Sequence, residues 1–409
     1  MTAASTGERP PRQGALGGLR VLELGQIYNV PYCALLFAQL GADVIKLEPP
    51  GGERLRYRSS AEAETHEFVM LNSNKRSVSM DLKTPAGREL FLELVAEMDV
   101  VLENYSPGAM RRLGLDPELL CAGNPRLVYA SAKGYGGSGR YADLPAMDIT
   151  VQAMSGSISS TGQPDGPPTK AGPAYVDFLG GTHLYGAAVT ALLQRTITGC
   201  GQFVEVSMHD TVYPTLASSL GGIYNDPARV LPERTGNQHT GMAVAPYNVY
   251  PAQDGWLAVI SVSDKHFAAL AGAIGRPELA SDPRFVDQYA RVRNVSELDA
   301  AIEEWTLRHP RWDAVRALSA VDVPCAPVLT VREVSQDPHL YERGMIREIE
   351  HPSLGRRPVP GCPLRLADSP VGGLSAAPLL GAHTDEVLRE LCGRSDAELT
   401  TLRAAGVIR

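Results

Sequence analysis

Short apolar segments alternate with helical segments along the first third of the chain, and this alternation restricts the fold more than any other feature. The helical segments are Pro31–Leu40 and Pro85–Glu97. The apolar segments have the length and composition of strands and lie at Val21–Leu24, Val44–Glu48, Val100–Glu103 and Leu127–Ala132. Strands that are separated by a helix pair in parallel. The sequence therefore predicts an α/β fold around an open parallel sheet.

The segments that follow the predicted strands indicate where a ligand binds, because open α/β sheets hold ligands beyond the carboxyl ends of their strands. Those ends carry Gly25–Asn29, Asn104–Ser106 and Lys133–Gly139. The run Gly134-Tyr-Gly-Gly-Ser-Gly139 matches the glycine pattern of dinucleotide-binding loops. A loop-like segment follows it where a helix would be needed. We therefore interpret the run as a flexible loop at a ligand site and expect no nicotinamide or flavin.

Length and pattern indicate a second compact unit in the middle of the chain. A chain of 409 residues usually forms more than one hydrophobic core. Between about Val244 and Ala326, two strand candidates at Pro246–Val249 and Trp256–Ser261 precede several helical segments. From Pro327 to Ala367 the chain is rich in proline and glycine.

Charge and cysteine usage narrow the class of protein. The formal net charge is −8, which argues against nucleic acid as the main partner. The six cysteines include no C-x-x-C pair, so we expect neither a disulfide framework nor a metal site, and a reduced, cytoplasmic location. The first 14 residues lack the apolar core of a signal peptide, and no apolar run is long enough to span a membrane.

One carboxylate stands out because of its surroundings. Asp177 lies just before Gly180 and Gly181 and at the start of a long apolar helical run. Such a carboxylate is either a helix cap or a nucleophile whose approach the glycines leave open. Asp148 occupies a similar setting, as a cap, a turn residue or a second acid of the site. Residue chemistry alone leaves these alternatives open.

Several cations lie near predicted loops after strands or turns. Singly, each is compatible with a solvated surface. As a set at the carboxyl edge of a sheet, they could hold a phosphorylated ligand. The cations are Lys75, Arg76, Lys83, Arg111, Arg112 and Lys133.

From about Gly17 to its C-terminus, the chain resembles the class III CoA-transferases of the CaiB/BaiF type, which transfer CoA between acyl groups and also include α-methylacyl-CoA racemases. The resemblance rests on ordered blocks that are specific only together: LGADVIKLEPPGGERLR, LNSNKRSVSMDLKTPAGREL, VLENYSPGAMRRLGL, PRLVYASAKGYGGSG, AMDITVQAMSG, the Asp177 block and PLLGAHTDEVL. It implies an enzyme that needs no metal and uses coenzyme A only as part of its substrates.

The resemblance also implies a domain organisation. A Rossmann-like large domain would be formed by residues 1–222 together with a return segment over 330–409. A linker and a smaller α+β domain would occupy residues 223–329. Two ring-like subunits would interlock as a homodimer.

By the same resemblance, Asp177 matches the family's nucleophile, which forms an anhydride with the acyl group and then a thioester with CoA. The residues implied to bind CoA are Tyr28, Asn29, Met80, Asp81, Leu82, Lys83, Asn104, Tyr105, Ser106 and Arg112. The residues implied to line the substrate pocket are Gln26, Met147, Asp148, Gly180, Gly181, Gly236 and His239.

Departures from the family pattern refine the expected activity. Formyl-CoA transferases carry consecutive glycines where this chain has Gly-Asn-Gln-His-Thr-Gly at 236–241, which argues against a formyl or oxalate substrate. We expect Tyr28, Met147 and His239 to shape an acyl pocket for an acid larger and less polar than oxalate. Pro49 replaces an arginine that can contact CoA. Racemases have histidine at Met147 and glutamate at Asn248, and proton transfer at an α-carbon needs such bases. We therefore predict transfer, with a racemase or a non-catalytic CoA-binding protein as alternatives.

Overall fold

The computed structural model describes residues 14–57, 64–228 and 230–409. The N-terminal segment to which the signal-peptide prediction applies lies almost entirely outside these ranges. The strands are β1 Arg20–Glu23, β2 Asp43–Glu48, β3 Lys75–Ser79, β4 Val100–Glu103, β5 Val128–Lys133, β6 Phe203–Ser207, β7 Tyr247–Ala252, β8 Gly255–Ile260, β9 Cys325–Pro327, β10 Ile346–His351 and β11 Gly355–Pro360.

The α-helices vary from one turn to more than six. They are α1 Asn29–Gln39, α2 His66–Asn72, α3 Pro85–Ala96, α4 Ala109–Arg112, α5 Pro117–Gly123, α6 Asp148–Met154, α7 Tyr175–Thr198, α8 Met208–Val212, α9 Ala217–Asn225, α10 Asp264–Ala273, α11 Gln288–Arg293, α12 Val295–Thr306, α13 Arg311–Ser319, α14 Val331–Val334, α15 Pro338–Glu342, α16 Thr384–Cys392 and α17 Asp396–Ala404.

The described chain divides into two compact units. The first contains residues up to 151, 174–211 and 337–409, and the second contains 152–173 and 212–336. The first unit is built around a six-stranded sheet in the order β3-β2-β1-β4-β5-β6. All of its strand pairs are parallel. The chain reverses its direction of strand addition between β1 and β4, and this is where open α/β sheets bind ligands.

Alternation along the strands assigns side chains to two cores. Val21 and Val44 face a core that includes α1 and α7, whereas Leu22 and Ile45 face a core that includes α3, α5, α16 and α17. Because a strand directs successive side chains to opposite faces, continuous apolar runs are needed where helices cover both faces. The C-terminal helices thus complete a core that the N-terminal part begins.

β3 was not predicted from the sequence, because its first residues are the cations Lys75 and Arg76. Lys75 is 3% exposed, and its Nζ donates to Glu23 Oε2 at 2.7 Å. Arg76 bonds Asp43 on the neighbouring strand. The expectation that these two cations lie free at a ligand site is wrong, since both are used to join strands inside the unit.

The second unit has a three-stranded sheet in the order β7-β8-β9, with antiparallel pairs. Its core joins Tyr250 and Leu257 of the sheet to Leu270, Ile302 and Leu318 of the packed helices. No helix in the part of the chain that the structure describes is long and apolar enough to cross a membrane.

Candidate active site

A cleft of about 420 Å³ opens at the carboxyl ends of β1, β4 and β5. The three segments expected at these strand ends all contribute to it: Gln26 and Ile27 after β1, Asn104–Ser106 after β4, and Lys133 with Gly134 at the end of β5. Asp177 forms part of its wall. The sheet topology therefore brings the candidate nucleophile to the ligand-binding edge.

Asp177 is the third residue of α7 and does not cap this helix. Ala174 precedes the helix and provides no side-chain cap. The capping oxygen comes from Asp148, whose Oδ2 accepts from the N–H groups of Val176 at 3.0 Å and Asp177 at 3.2 Å. The capping interpretation of Asp177 is therefore wrong, and its carboxylate makes no hydrogen bond or ion pair within residues 14–57, 64–228 and 230–409.

Burial raises the pKa of Asp177 to about 7, with a smaller contribution from the nearby Asp148 carboxylate. Desolvation disfavours the charged form, and a like charge adds to this effect. A carboxylate that titrates near neutrality and lines a cleft is a typical feature of catalytic sites.

The raised pKa predicts that Asp177→Asn stabilises the protein at pH 8. The folded-state pKa of about 7 exceeds the ordinary value of 3.8, so stability is lost as pH rises between these two values. The carboxylate is partly exposed, so we expect a gain of about 1–2 kcal/mol in the free energy of unfolding at pH 8. At pH 4 the gain should nearly vanish. Urea unfolding at both pH values measures it, and an equal gain at both would contradict this explanation.

Gly180 and Gly181 allow α7 to approach α1 closely. A Cβ atom at Gly180 would lie 2.4 Å from Asn29 Nδ2, and one at Gly181 would lie 2.4 Å from the Asn29 carbonyl oxygen. Both glycines are interior to α7, where N–H groups bond to carbonyls one turn earlier. These N–H groups are therefore used within the helix and are not available to stabilise an oxyanion.

Tyr28 and Asn29 lie at the start of α1, against α7. The ring of Tyr28 stacks on Phe178, with 6.0 Å between ring centroids. Asn29 is 1% exposed, and its amide atoms have no hydrogen-bond partner among the described residues. A direct contact of these two residues with CoA remains a prediction.

A second cavity of about 320 Å³ collects most of the predicted CoA-binding residues. Met80–Lys83, Tyr105 and Arg112 line it together with the apolar side chains of Leu47 and Leu113. It shares Tyr105 with the Asp177 cleft. The two cavities can therefore accommodate different parts of one elongated ligand.

The remaining predicted cations differ in availability. Lys133 donates to both oxygens of Glu103, at 2.9 and 3.0 Å, and Arg111 pairs with Asp116. Among the described residues, Arg112 bonds only the Pro107 carbonyl, at 3.1 Å, and Lys83 has no acidic partner. Lys83 and Arg112 are thus the cations best placed to bind an anionic ligand at the second cavity.

Other predicted residues are distributed between the two units. Met147 lines the Asp177 cleft, and Asp148 begins α6 directly after it. Gly236 and His239 belong to the second unit, where the His239 ring packs against Tyr247 at 5.4 Å. Asn248 donates to Asp299 at 2.8 Å.

Asn104, a predicted CoA contact, uses its side chain inside the protein. Its Oδ1 accepts from Gln26 N–H, and its Nδ2 donates to the Gln26 carbonyl, each at 2.9 Å. Ile27 was expected only as part of the segment Gly25–Asn29, and Glu53, which accepts a hydrogen bond from this segment, was not predicted as a site residue. Nothing in their local sequence distinguishes them, because their role depends on contacts between distant segments.

Among the described residues, no group of three or more histidine, cysteine, aspartate or glutamate side chains is arranged to hold a metal ion. The polar side chains that line the Asp177 cleft carry carboxylate, amide, hydroxyl and cationic groups, among them Asp177, Gln26, Ser106 and Lys133.

Comparisons with known proteins agree over nearly the whole chain. Residues 16–384 match the family model of CoA-transferase family III. The chain is 36% identical to a formyl-CoA:oxalate CoA-transferase of Streptomyces avermitilis, over 96% of this chain and 99% of that protein. It is 37% identical to a succinyl-CoA–D-citramalate CoA-transferase of Chloroflexus aurantiacus, over 98% and 99%.

The fold is similar to that of a solved protein. The crystal structure of a CaiB/BaiF family protein from Brucella suis superposes with a TM-score of 0.81 at 35% identity, covering 93% of this chain and 100% of that one.

Proposed function

The chain belongs to CoA-transferase family III, and on that basis we propose that it moves CoA from an acyl-CoA donor to a carboxylic acid, with Asp177 as the covalent nucleophile. The observation that carries the proposal is the Asp177 carboxylate itself. It lines a cleft at the ligand-binding edge of the sheet, is partly desolvated, and has no partner in the described structure.

The proposed reaction has four steps in which bonds are exchanged without an external energy source. An Asp177 oxygen attacks the donor thioester carbonyl, forming a mixed anhydride and releasing CoA thiolate. The thiolate attacks the Asp177 carboxyl carbon, giving an aspartyl-CoA thioester and the free donor acid. The acceptor carboxylate attacks this thioester, forming a second anhydride and thiolate. The thiolate then attacks the acceptor carbonyl, giving the new acyl-CoA and regenerating Asp177.

Partial desolvation of Asp177 supports this chemistry in two ways. A carboxylate that has lost part of its hydration requires less solvent reorganisation when it attacks a carbonyl. Exclusion of water also protects the anhydride and thioester from hydrolysis. The pKa near 7 leaves a substantial fraction of the residue ionised at neutral pH.

The second cavity supports a binding site for the nucleotide end of CoA. Its apolar walls suit an adenine ring, and Lys83 and Arg112 suit phosphate groups. Tyr105, shared by both cavities, would lie beside the pantetheine arm that carries the thioester to Asp177.

We propose that the exchanged acids are carboxylic acids that are larger and less polar than oxalate. The two relatives named above act on formyl-CoA with oxalate and on succinyl-CoA with D-citramalate. In this chain, the apolar side chains of Leu144, Met147 and Met208 line the Asp177 cleft. Such a wall favours an acyl group with an apolar portion.

We further propose an interlocked homodimer in a reduced, cytoplasmic compartment. Family membership and the six free cysteines support this proposal. Light scattering of the purified protein tests the oligomeric state, since a monomer at assay concentration would contradict it.

A matrix of acyl-CoA donors and carboxylic acids, read by mass spectrometry of the CoA esters, tests the proposed reaction. New acyl-CoA should form only when donor and acceptor are both present. Deuterium exchange at the α-carbon without an acceptor would instead support a racemase. Binding of acyl-CoA without either reaction would support a non-catalytic binding protein.

The raised pKa predicts the pH dependence of transfer. Because the nucleophile is the ionised form, kcat/KM should rise with pH through a midpoint near 7. Asp148→Asn keeps an oxygen for the N–H groups of α7 but removes the like charge, so the midpoint should move to lower pH. Asp143→Asn, at an exposed carboxylate nearby, should leave the midpoint in place. An unchanged midpoint in Asp148→Asn would contradict the electrostatic explanation.

A further inference from the structure

Three side chains from distant segments hold the backbone of Gly25–Ile27, part of which lines the Asp177 cleft. Lys46 Nζ, from β2, donates to the first carbonyl of this loop at 2.9 Å. Asn104, after β4, bonds the N–H and the carbonyl of the middle residue. Glu53 Oε2 accepts from the last N–H at 3.3 Å. We refer to these contacts as the loop clamp.

The loop clamp holds Ile27 in a backbone conformation that isoleucine disfavours. Ile27 has a φ of +66°, in the left-handed region. A β-branched side chain is seldom found there, because its Cβ crowds the backbone. Such a conformation persists only when the surrounding structure enforces it, and it often occurs at functional sites. The hydrogen bond from the Ile27 N–H to Glu53 is one of the contacts that enforce it.

Glu53 is a buried carboxylate whose two oxygens differ in their hydrogen bonding. Its side chain is 1% exposed, and Oε2 also accepts from Leu55 N–H at 3.0 Å. Oε1 lies 3.9 Å from Lys46 Nζ and has no hydrogen-bond partner in the described part of the chain. A buried carboxylate with an unsatisfied oxygen is unfavourable for stability, which indicates a role outside stability.

The clamped loop leads directly into contacts with the helix that carries the nucleophile. Tyr28 stacks on Phe178, the neighbour of Asp177, and Asn29 lies against Gly180. The conformation at Ile27 therefore sets the start of α1 relative to the first turn of α7.

We propose that Glu53 is a positioning residue of the transfer reaction. By holding the Ile27 N–H, it fixes one part of the wall of the Asp177 cleft, so that a bound thioester carbonyl lies within reach of the Asp177 carboxylate. This inference rests on the proposed function.

The test compares three replacements of Glu53 in the full-length protein. Glu53→Ala removes the acceptor and should lower kcat about tenfold, with KM for acyl-CoA within about threefold of wild type. Glu53→Asp shortens the reach and should lose as much, which keeps the test valid if the alanine variant does not fold. Glu53→Gln keeps an acceptor oxygen and should stay within about threefold of wild-type kcat.

Replacement of Ile27 separates positioning from general stability. Glycine adopts the left-handed conformation without strain. In an Ile27→Gly background, Glu53→Ala or Glu53→Asp should therefore change kcat less than about threefold. Glu64→Ala is the matched control, because Glu64 is also a buried carboxylate but pairs with Arg56, and among the described residues no hydrogen bond joins it to the loop. The kcat of Glu64→Ala should equal that of wild type at a temperature where circular dichroism shows that the two proteins are folded.

Two results would overturn the proposal. The first is a kcat of Glu53→Ala or Glu53→Asp within about threefold of wild type, and the second is an equal loss of kcat with isoleucine or with glycine at position 27. Wild-type transfer and labelling of Asp177 are measured in the same preparations. Absence of both in wild type would refute the proposed function itself, whereas their presence with unaffected Glu53 variants would refute only the clamp.

Discussion

Asp177→Asn should lower kcat for CoA transfer by roughly 10⁴-fold or more, because an amide cannot form the anhydride through which the proposed reaction passes. The substitution is nearly isosteric and leaves the Asp148 cap on the backbone of α7 unchanged. Binding of acyl-CoA should therefore stay within about threefold of wild type, as measured by calorimetry. Initial rates of new acyl-CoA formation, read by mass spectrometry, give the loss.

Asp210→Asn provides the matched control for this substitution. Asp210 lies on α8, and its side chain is 79% exposed and does not line the cleft. It should retain full activity. If Asp177→Asn kept more than about a hundredth of wild-type kcat, the covalent role of Asp177 would be refuted.

The double variant Lys83→Ala/Arg112→Ala should raise KM for acyl-CoA about 100-fold with little change in kcat. Each cation is expected to contribute about 1.5 kcal/mol or somewhat more through charge-assisted hydrogen bonds to phosphate. These contacts are equal in the ground and transition states, so their loss weakens binding without slowing the chemical steps. Steady-state kinetics with varied acyl-CoA and saturating acceptor measures both parameters.

Two controls accompany this experiment, the variant Arg111→Ala and a substrate that lacks the 3′-phosphate of CoA. Arg111 is the neighbour of Arg112 on α4, but it is paired with Asp116 and largely exposed, so Arg111→Ala should leave KM unchanged. An acyl-dephospho-CoA lacks the 3′-phosphate, so a cation that contacts this group should contribute less to its binding. A KM for the double variant within about threefold of wild type would show that the second cavity does not bind phosphate.

Local patterns predicted those elements whose signals lie within a few residues. The helix predicted over Pro85–Glu97 agrees within one residue with the observed α3, Pro85–Ala96. The prediction succeeds because Thr84 caps the helix and Pro85 begins it, and both signals are local. The strands β1, β2, β4 and β5 follow equally clear apolar runs. Fold class and sheet direction could therefore be inferred from the sequence.

Elements stabilised by distant partners could not be predicted. β3 begins with two cations that find Glu23 and Asp43 only in the folded sheet. The hairpin of β10 and β11 contains prolines, which local rules associate with loops.

The candidate site likewise contains residues that the sequence identifies and residues whose role depends on distant contacts. Asp177 could be identified with its family blocks, but the capping interpretation failed because the cap comes from Asp148, 29 residues away. The left-handed conformation of Ile27 and its contact with Glu53 depend on three converging segments, and no local pattern indicates them.

The most direct test of the central claim is the location of the covalent intermediate. The protein is mixed with acyl-CoA, trapped with hydroxylamine, digested with trypsin and examined by mass spectrometry. Cleavage after Lys170 and Arg195 gives a peptide in which Asp177 is the sole side-chain carboxylate. We predict a hydroxamate on this peptide that requires acyl-CoA and is absent from Asp177→Asn. An unmodified peptide during active turnover, or a hydroxamate at another residue, would contradict the covalent role of Asp177.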